Sequence, residues 1–535
     1  MFAKEDEPKA TLPSGSESRR PPSVELRIFL EDQSLPAFGK GRSYPPSLPD
    51  RESYVVDFEG PEDPLNAQNW PVKTKIFLSA ILIFDSISAT FGSSIFSAAA
   101  VGVEAEFNVG KEVGTLGTSL FVFGFAFGPI MWGPLSELHG RRLPIIIASF
   151  GFGIFGIAVA VAEDLQTIMI CRFFNGIFGS CPLAVVAAVF ADMYNNETRG
   201  LAVATFAATV FMGPLLAPFV GGFISASYLG WRWTMYLSAI MGFTSFGLTL
   251  LFMKETYAPI ILVKKAKDLR SRTGNWGIHA KQEQIEVNFK ELVVTVFARP
   301  MQILFTEPIV VCVTLYMAFL FGLLYLFITS YALVFQGVYG MTPGVAGLPF
   351  FGMIIGEIIA FITIALLNPA YVRNLKANNN IPVPEWRLPI AMVGGVLFSA
   401  GLFWFGWTGY KKDIHWIVPT VSGLFTGFGI FSVFLQLLNY IIDAYLMFAA
   451  SAVAGNSFMR SLFGAIFPLF ARYMYEGMGI KYGNTLIGAV AAALVPLPFL
   501  FYFFGKNLRA RSKIAPALDL KQDKTKEARP DSEEV

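Results

Sequence analysis

Charge is scarce in this 535-residue chain: Asp, Glu, Lys and Arg make up 15% of it, against about a quarter in soluble domains. Hydrophobic residues make up 54%, Phe alone occurs 53 times, and the mean hydropathy is +0.53. No soluble fold could cover that much apolar surface with so few charges, so the chain reads as an integral membrane protein. Cysteine is scarcer still. Cys171, Cys181 and Cys312 all lie in apolar runs, which argues against a disulfide framework or thiolate metal site and leaves them as small buried hydrophobes. His139, His279 and His415 are the only histidines. Without paired membrane histidines, a Gly-rich phosphate loop or a nucleophile-and-base grouping, a membrane enzyme or ATP-driven pump ranks low, and no metal or cofactor is expected. The net charge of +2, from 41 bases and 39 acids, gives no reason to expect a nucleic-acid partner. The polar stretch before Trp70 lacks the pattern of a signal peptide.

Apolar runs of bilayer-spanning length, about 20 residues, recur from residue 75 onward. Twelve are counted, near 75–99, 113–133, 143–162, 166–191, 200–224, 232–253, 309–335, 345–367, 389–409, 414–438, 445–470 and 484–504. Lipid offers the backbone no hydrogen bonds, so these should be helices, and they lack the short polarity alternation of barrel strands. They split six and six around Lys254 to Glu307, a hydrophilic stretch with nine Lys and Arg. The expected organisation is a disordered cytoplasmic tail over 1–70, a six-helix half over 71–253, a cytoplasmic linker over 254–308, a second half over 309–505 and a cytoplasmic tail over 506–535. Two six-helix halves related by an axis along the membrane normal are a recurrent transporter plan. The basic linker, Lys73 and Lys75 before the first span, and Lys506, Arg509 and Arg511 after the last orient both termini toward the cytoplasm. The sequon Asn196-Glu197-Thr198 then falls inside and is read as a chance match.

Three stretches carry the chemistry. Between the second and third spans stands Gly133-Pro134-Leu135-Ser136-Glu137-Leu138-His139-Gly140-Arg141-Arg142. Glycines at both ends permit a sharp reversal, and an acid with two arginines can exchange partners with neighbouring helix ends as a conformational latch. The plainer reading is arginines that merely obey the positive-inside rule. The fourth span holds Arg172-Phe173-Phe174-Asn175-Gly176. A guanidinium there either faces a cavity and tunes a proton-carrying group, or snorkels to the nearer surface. The fifth span holds Gly213-Pro214-Leu215-Leu216-Ala217-Pro218-Phe219-Val220-Gly221-Gly222, where two prolines kink the helix and glycines admit a close neighbour.

Taken together, these stretches resemble motifs of the major facilitator superfamily. The first is similar to its cytoplasmic-loop signature, with Glu137 where Asp is commoner and Leu138 where Arg is frequent. The second resembles its Arg-x-x-Gln-Gly motif, with Asn175 for Gln. The third resembles the Gly-Pro-x-x-Gly-Gly antiporter signature, with Ala217 in place of the preceding Gly. Trp231-Arg232-Trp233, Glu255-Thr256-Tyr257-Ala258-Pro259, Arg299-Pro300, Pro384-Glu385-Trp386-Arg387-Leu388-Pro389, Asn439-Tyr440 with Asp443, and Arg460-Ser461-Leu462-Phe463-Gly464 look like fungal members. The resemblance implies an all-α fold of twelve transmembrane helices and a drug–proton antiporter without a cofactor, driven by the proton gradient. It implies a small hydrophobic substrate and protons as partners, a bilayer setting and a monomer. The plasma membrane is the expected location, the vacuolar membrane the alternative.

Ionisable residues inside the membrane are functional candidates because burying them is costly. Asp85 is the only charge from Ile76 to Val103, and Glu357 the only one from Pro308 to Val372. Either could carry the coupled proton, with Arg172 or Arg460 adjusting it; the plainer alternative is a protonated acid that hydrogen-bonds within the bundle. The many phenylalanines suggest an aromatic cavity suited to planar or cationic solutes. Efflux of hydrophobic drugs, toxins or secondary metabolites is the leading expectation. Proton-coupled import of a small polar nutrient is the alternative.

Overall fold

Backbone that crosses lipid must satisfy its own hydrogen bonds, and the apolar runs meet that demand as long helices. The computed structural model describes residues 37–43, 51–195, 198–284, 298–379, 381–445 and 448–512. Most of the expected N-terminal tail, Asn196 and Glu197 of the sequon, residues 285–297 of the linker and the C-terminal tail from 513 lie outside the described residues.

Among the described residues, eleven helical segments are long and apolar enough to span. The first six are Val72–Phe107, Lys111–His139, Arg142–Val161, Leu165–Met193, Arg199–Ala226 and Arg232–Phe252. Pro308–Val338, Val345–Ala377, Pro384–Thr408, Ile417–Tyr445 and Ser451–Ala510 follow. The last, at 60 residues, would be about 90 Å long as one helix, three times the hydrocarbon thickness of about 30 Å. Gly479 breaks it with φ 74° and ψ 164°, a backbone setting reserved for glycine. Residues on either side form the eleventh and twelfth spans, so the count is twelve.

Packing follows a repeated scheme. The first span packs on the fifth, the second on the fourth and the third on the sixth; correspondingly the seventh packs on the eleventh and the eighth on the tenth. Between the two groups, the second span meets the eleventh and the fifth meets the eighth. These two contacts interconvert when each span is exchanged for its counterpart six places along, as a pseudo-twofold axis requires.

Glycines mark the same relation at atomic level. A Cβ on Gly124 or Gly176 would strike the carbonyl of Phe173 or Phe121, where the second and fourth spans cross. A Cβ on Gly356 or Gly427 would strike the carbonyl of Leu424 or Met353, where the eighth and tenth cross. Backbone-to-backbone approach of this kind is what small residues provide in membrane bundles. Gly427→Ala should lower stability by about 1–3 kcal/mol through overpacking. A lowered thermal unfolding midpoint in detergent is the expected result, and an unchanged one would contradict the close crossing.

The described residues of 1–63 and 262–285 form a separate unit. Here the expectation of a disordered tail fails for its described residues. Phe38, Tyr54 and Val56 are buried with Ala266, Leu269 and Ile278. Val56 N–H donates to the His279 carbonyl at 2.9 Å, and His279 N–H to that of Tyr54 at 3.1 Å. Lys265 Nζ donates to the Asp57 carbonyl at 3.0 Å, and Arg270 pairs with Glu283 at 2.8 Å. The tail shows no periodicity because it folds by pairing with a chain segment some two hundred residues away, not by forming an element of its own.

Candidate functional site

The fifth span explains how a cavity forms. Both Pro214 and Pro218 lie inside its helix. Pro218 has no N–H for the Pro214 carbonyl, and Ser94 Oγ of the first span donates to that carbonyl instead, at 3.0 Å. Gly213 and Gly221 lie against Thr90 and Ile95 of the first span, with no room for a Cβ. On another face, Pro218 and Gly222 border the cavity, with Gly222 against the Pro343 carbonyl that precedes the eighth span. The five motif residues therefore tie spans one and five together and shape the wall between the two groups of six.

That cavity, about 170 Å³, lies toward the end of the bundle where the first, fifth and seventh spans finish. Ser97 and Ala98 of the first span, Thr115 and Thr118 of the second, and Tyr325, Ile328 and Thr329 of the seventh line it, with Gln336, Phe350 and Arg472. The i, i+3, i+4 spacing in the seventh span brings Tyr325, Ile328 and Thr329 to one helix face. The expectation of an aromatic lining does not hold: Tyr325 and Phe350 are the aromatic members. Phenylalanines gather deeper, where the Phe211 ring lies 4.7 Å from Phe434 and 6.4 Å from Phe321. They fill the space beneath the cavity, where close packing and not solute contact is the demand.

Arg172 is held by backbone carbonyls. It neither meets a carboxylate nor snorkels; it is 1% exposed. Its three guanidinium nitrogens donate to the carbonyls of Gly117, Gly92 and Ser93 at 3.0, 3.0 and 3.1 Å. The Phe96 and Phe121 rings flank it. Carbonyl oxygens replace the hydration that a buried cation loses. Ser93 Oγ lies 2.8 Å from the Tyr325 hydroxyl, which links the first and seventh spans at the cavity wall. Arg460 is different. It is 8% exposed, sits over the Phe321 and Phe434 rings at 4.9 and 5.1 Å, and its Nε has no hydrogen-bond partner.

The two candidate acids also part company. Asp85 Oδ1 accepts from Ser149 Oγ at 3.0 Å and Ser245 Oγ at 2.5 Å. Its partners come from the third and sixth spans, so it belongs to the interior of the first six helices and is absent from the cavity lining. Glu357 is 2% exposed, and neither carboxyl oxygen has a partner. It lies seven residues from the cavity-lining Phe350, on the same helix face and about 10 Å deeper.

At the other end of the bundle, the second span closes at Gly140, with φ 88°. Gly133 sits inside that helix with open space around it, so the expected pair of turn glycines reduces to Gly140. Arg141 Nε donates to Asp192 Oδ2 at 3.1 Å and its NH1 to Ser136 Oγ at 2.8 Å, while its guanidinium covers the Tyr257 ring at 4.4 Å. The Glu255 carboxylate accepts from the N–H groups of Arg141 and Arg142 at 2.9 and 3.2 Å. Gly140 leaves room for it, since a Cβ would collide with that carboxylate. Arg142 reaches the Leu250 carbonyl at 2.9 Å. Glu137 occupies the last turn of the second span. Burial beside these groups pushes the Tyr257 hydroxyl up, with Arg141 opposing.

A counterpart stands in the other group. Arg387 Nε donates to Asp443 Oδ2 at 3.1 Å, covers the Tyr371 ring at 3.7 Å, and Tyr371 donates to the same carboxylate at 3.2 Å. Arg509 forks onto Glu385 at 2.9 and 3.1 Å. In both clusters an arginine at the start of an odd-numbered span meets an aspartate at the end of the next span. Sequence reasoning missed Asp192 as the partner of Arg141, and the signal was available: an acid closing an otherwise apolar span. Each cluster joins helix ends within its own group of six.

Twelve spans in two pseudo-equivalent groups, with a cavity between them and the opposite end tied by charge clusters, define a membrane transporter fold. A family model described as Major Facilitator Superfamily matches residues 82–468, and the chain belongs to that family. It is 47% identical over 487 residues to a Candida albicans protein named major facilitator superfamily multidrug transporter FLU1, covering 91% of this chain and 80% of that one. It is likewise 47% identical over 492 residues to the Candida glabrata multidrug transporter TPO1_2, covering 92% and 85%. Among solved structures, the Escherichia coli xylose transporter XylE in a partially occluded inward-open conformation shares the fold with a TM-score of 0.56 at 16% identity, covering 80% of this chain and 99% of that one.

Proposed function

We propose that the protein is a proton-coupled exporter of hydrophobic drugs, toxins or fungal secondary metabolites that works by alternating access. The observation that carries the reading is Glu357: a buried carboxyl without a hydrogen-bond donor, on the helix face that continues down from the cavity. A carboxylate in such a place neutralises itself with a proton unless a partner arrives. Substrate occupancy and protonation then compete or cooperate through one helix, which is the thermodynamic content of coupling. The names of the relatives support the substrate class, and the span-five geometry supports exchange over import. With both termini cytoplasmic, the cavity faces outward and the closed end faces the cell interior, as at the point of substrate release. The two arginine–aspartate clusters keep each six-helix group rigid while it rocks. A monomer in the plasma membrane is the arrangement this reading uses, and neither a metal nor a cofactor enters it.

The test expresses the chain in a host stripped of its own efflux pumps and measures toxicity across a compound panel with and without a protonophore. Raised tolerance that disappears with the protonophore is expected. Accumulation of the toxic compounds in expressing cells would identify an importer instead.

A further inference from the structure

We propose that the cavity is built for amphipathic organic anions, that is, weak organic acids with an apolar body, and that it discriminates against cations of the same shape. The inference rests on the transport reading for direction only; the charge preference comes from the site itself. Among the described lining residues none is Asp or Glu, and Arg472, the base there, pairs with Glu476 one turn along its own helix. Arg460 sits 4.9 Å over the Phe321 ring, and that ring lies 5.3 Å from the ring of the cavity-lining Tyr325. Each guanidinium nitrogen of Arg172 donates to a carbonyl. Arg460 differs: its Nε is unpartnered, its flat faces meet Phe321 and Phe434, and no described ion pair includes it.

A guanidinium stays charged throughout the accessible pH range, and a buried one is costly until an oxygen ligand reaches it. Ring faces offset part of that cost but offer no acceptor for the Nε proton. A carboxylate entering from the cavity supplies the acceptor and a full compensating charge at once, in a setting of low dielectric. An ammonium in the same place meets the Arg460 charge, which no acid offsets in any described ion pair. The apolar body of such a solute finds Pro218, Ile328, Ala332 and Phe350 in the walls. This departs from the expectation of an aromatic cavity suited to planar or cationic solutes.

Three probes that share one fluorescent aromatic body and differ only in a carboxylate, a primary amide or an ammonium group test the idea. Direct binding to the purified full-length protein should favour the carboxylate over the ammonium probe at least tenfold. In Arg460→Gln the carboxylate-to-amide ratio of dissociation constants should shift at least tenfold against the carboxylate, and Arg460→Lys should recover part of that loss. Equal binding of the three probes, tighter binding of the ammonium probe, or an unaltered ratio in Arg460→Gln overturns the proposal. Proton-driven movement of the same probes into inside-out vesicles is measured separately. Anion-selective binding without such movement would sink the exporter reading and leave the binding preference standing, and cation movement would do the reverse.

Discussion

Glu357→Gln should lower concentrative, gradient-driven transport by two orders of magnitude or more while substrate-for-substrate exchange continues. The substitution removes the titratable proton and keeps the volume. Because neither carboxyl oxygen has a partner, it breaks no hydrogen bond in this conformation. Most buried polar substitutions lose stability and function together; this one is expected to separate coupling from fold. Asp85→Asn provides the contrast. An amide oxygen there can still accept from Ser149 and Ser245, so a milder defect is expected. Exchange and gradient-driven uptake measured on the same vesicles distinguish the two variants. Equal gradient-driven transport by Glu357→Gln and the natural protein would remove Glu357 from the mechanism.

Arg141→Ala should reduce turnover about tenfold or more with less than a twofold change in substrate affinity. Both partners of the Arg141–Asp192 pair are largely buried, at 9% and 19% side-chain exposure. Removal strands a carboxylate whose remaining hydrogen bond is a 3.4 Å contact from Thr256, and breaking buried pairs costs about 3–5 kcal/mol. The cavity is remote: from Thr118 to Ser136 the second span covers about 27 Å. A defect confined to cycling is therefore expected, read as a fall in the maximal transport rate at constant dissociation constant. Arg387→Ala, its pseudo-symmetric counterpart against Asp443, should do the same. A variant of Arg141 with unchanged turnover would contradict the rigid-group role of these clusters.

Much of the scaffold was legible because lipid imposes severe demands on composition. Twelve runs, their six-and-six division and the position of the span-five motif follow from where charges are missing and where proline and glycine stand. Legibility ended where distant chain segments supply the partner. Nothing near Arg141 in sequence announces Asp192, and nothing in Phe38, Tyr54 or Val56 announces the linker residues they bury against. Arg172 shows the limit most clearly: its ligands are backbone carbonyls, which every residue possesses and no motif can mark. The phenylalanine count misled for a related reason. Composition cannot distinguish a ring that lines a cavity from one that fills the space beneath it, as Phe211 and Phe434 do. The reciprocal glycine crossings, Gly124 with Gly176 and Gly356 with Gly427, were an internal repeat in plain view, visible once the helices that cross are known.

Proton and substrate counterflow in sealed liposomes tests the central claim most directly. The purified protein is reconstituted with a pH-sensitive dye trapped inside, and a substrate gradient is imposed with no initial pH difference. Substrate moving down its gradient should drive protons the opposite way, and Glu357→Gln should abolish the dye signal. Substrate flux that leaves the internal pH constant, at a rate indifferent to a protonophore, would contradict the account.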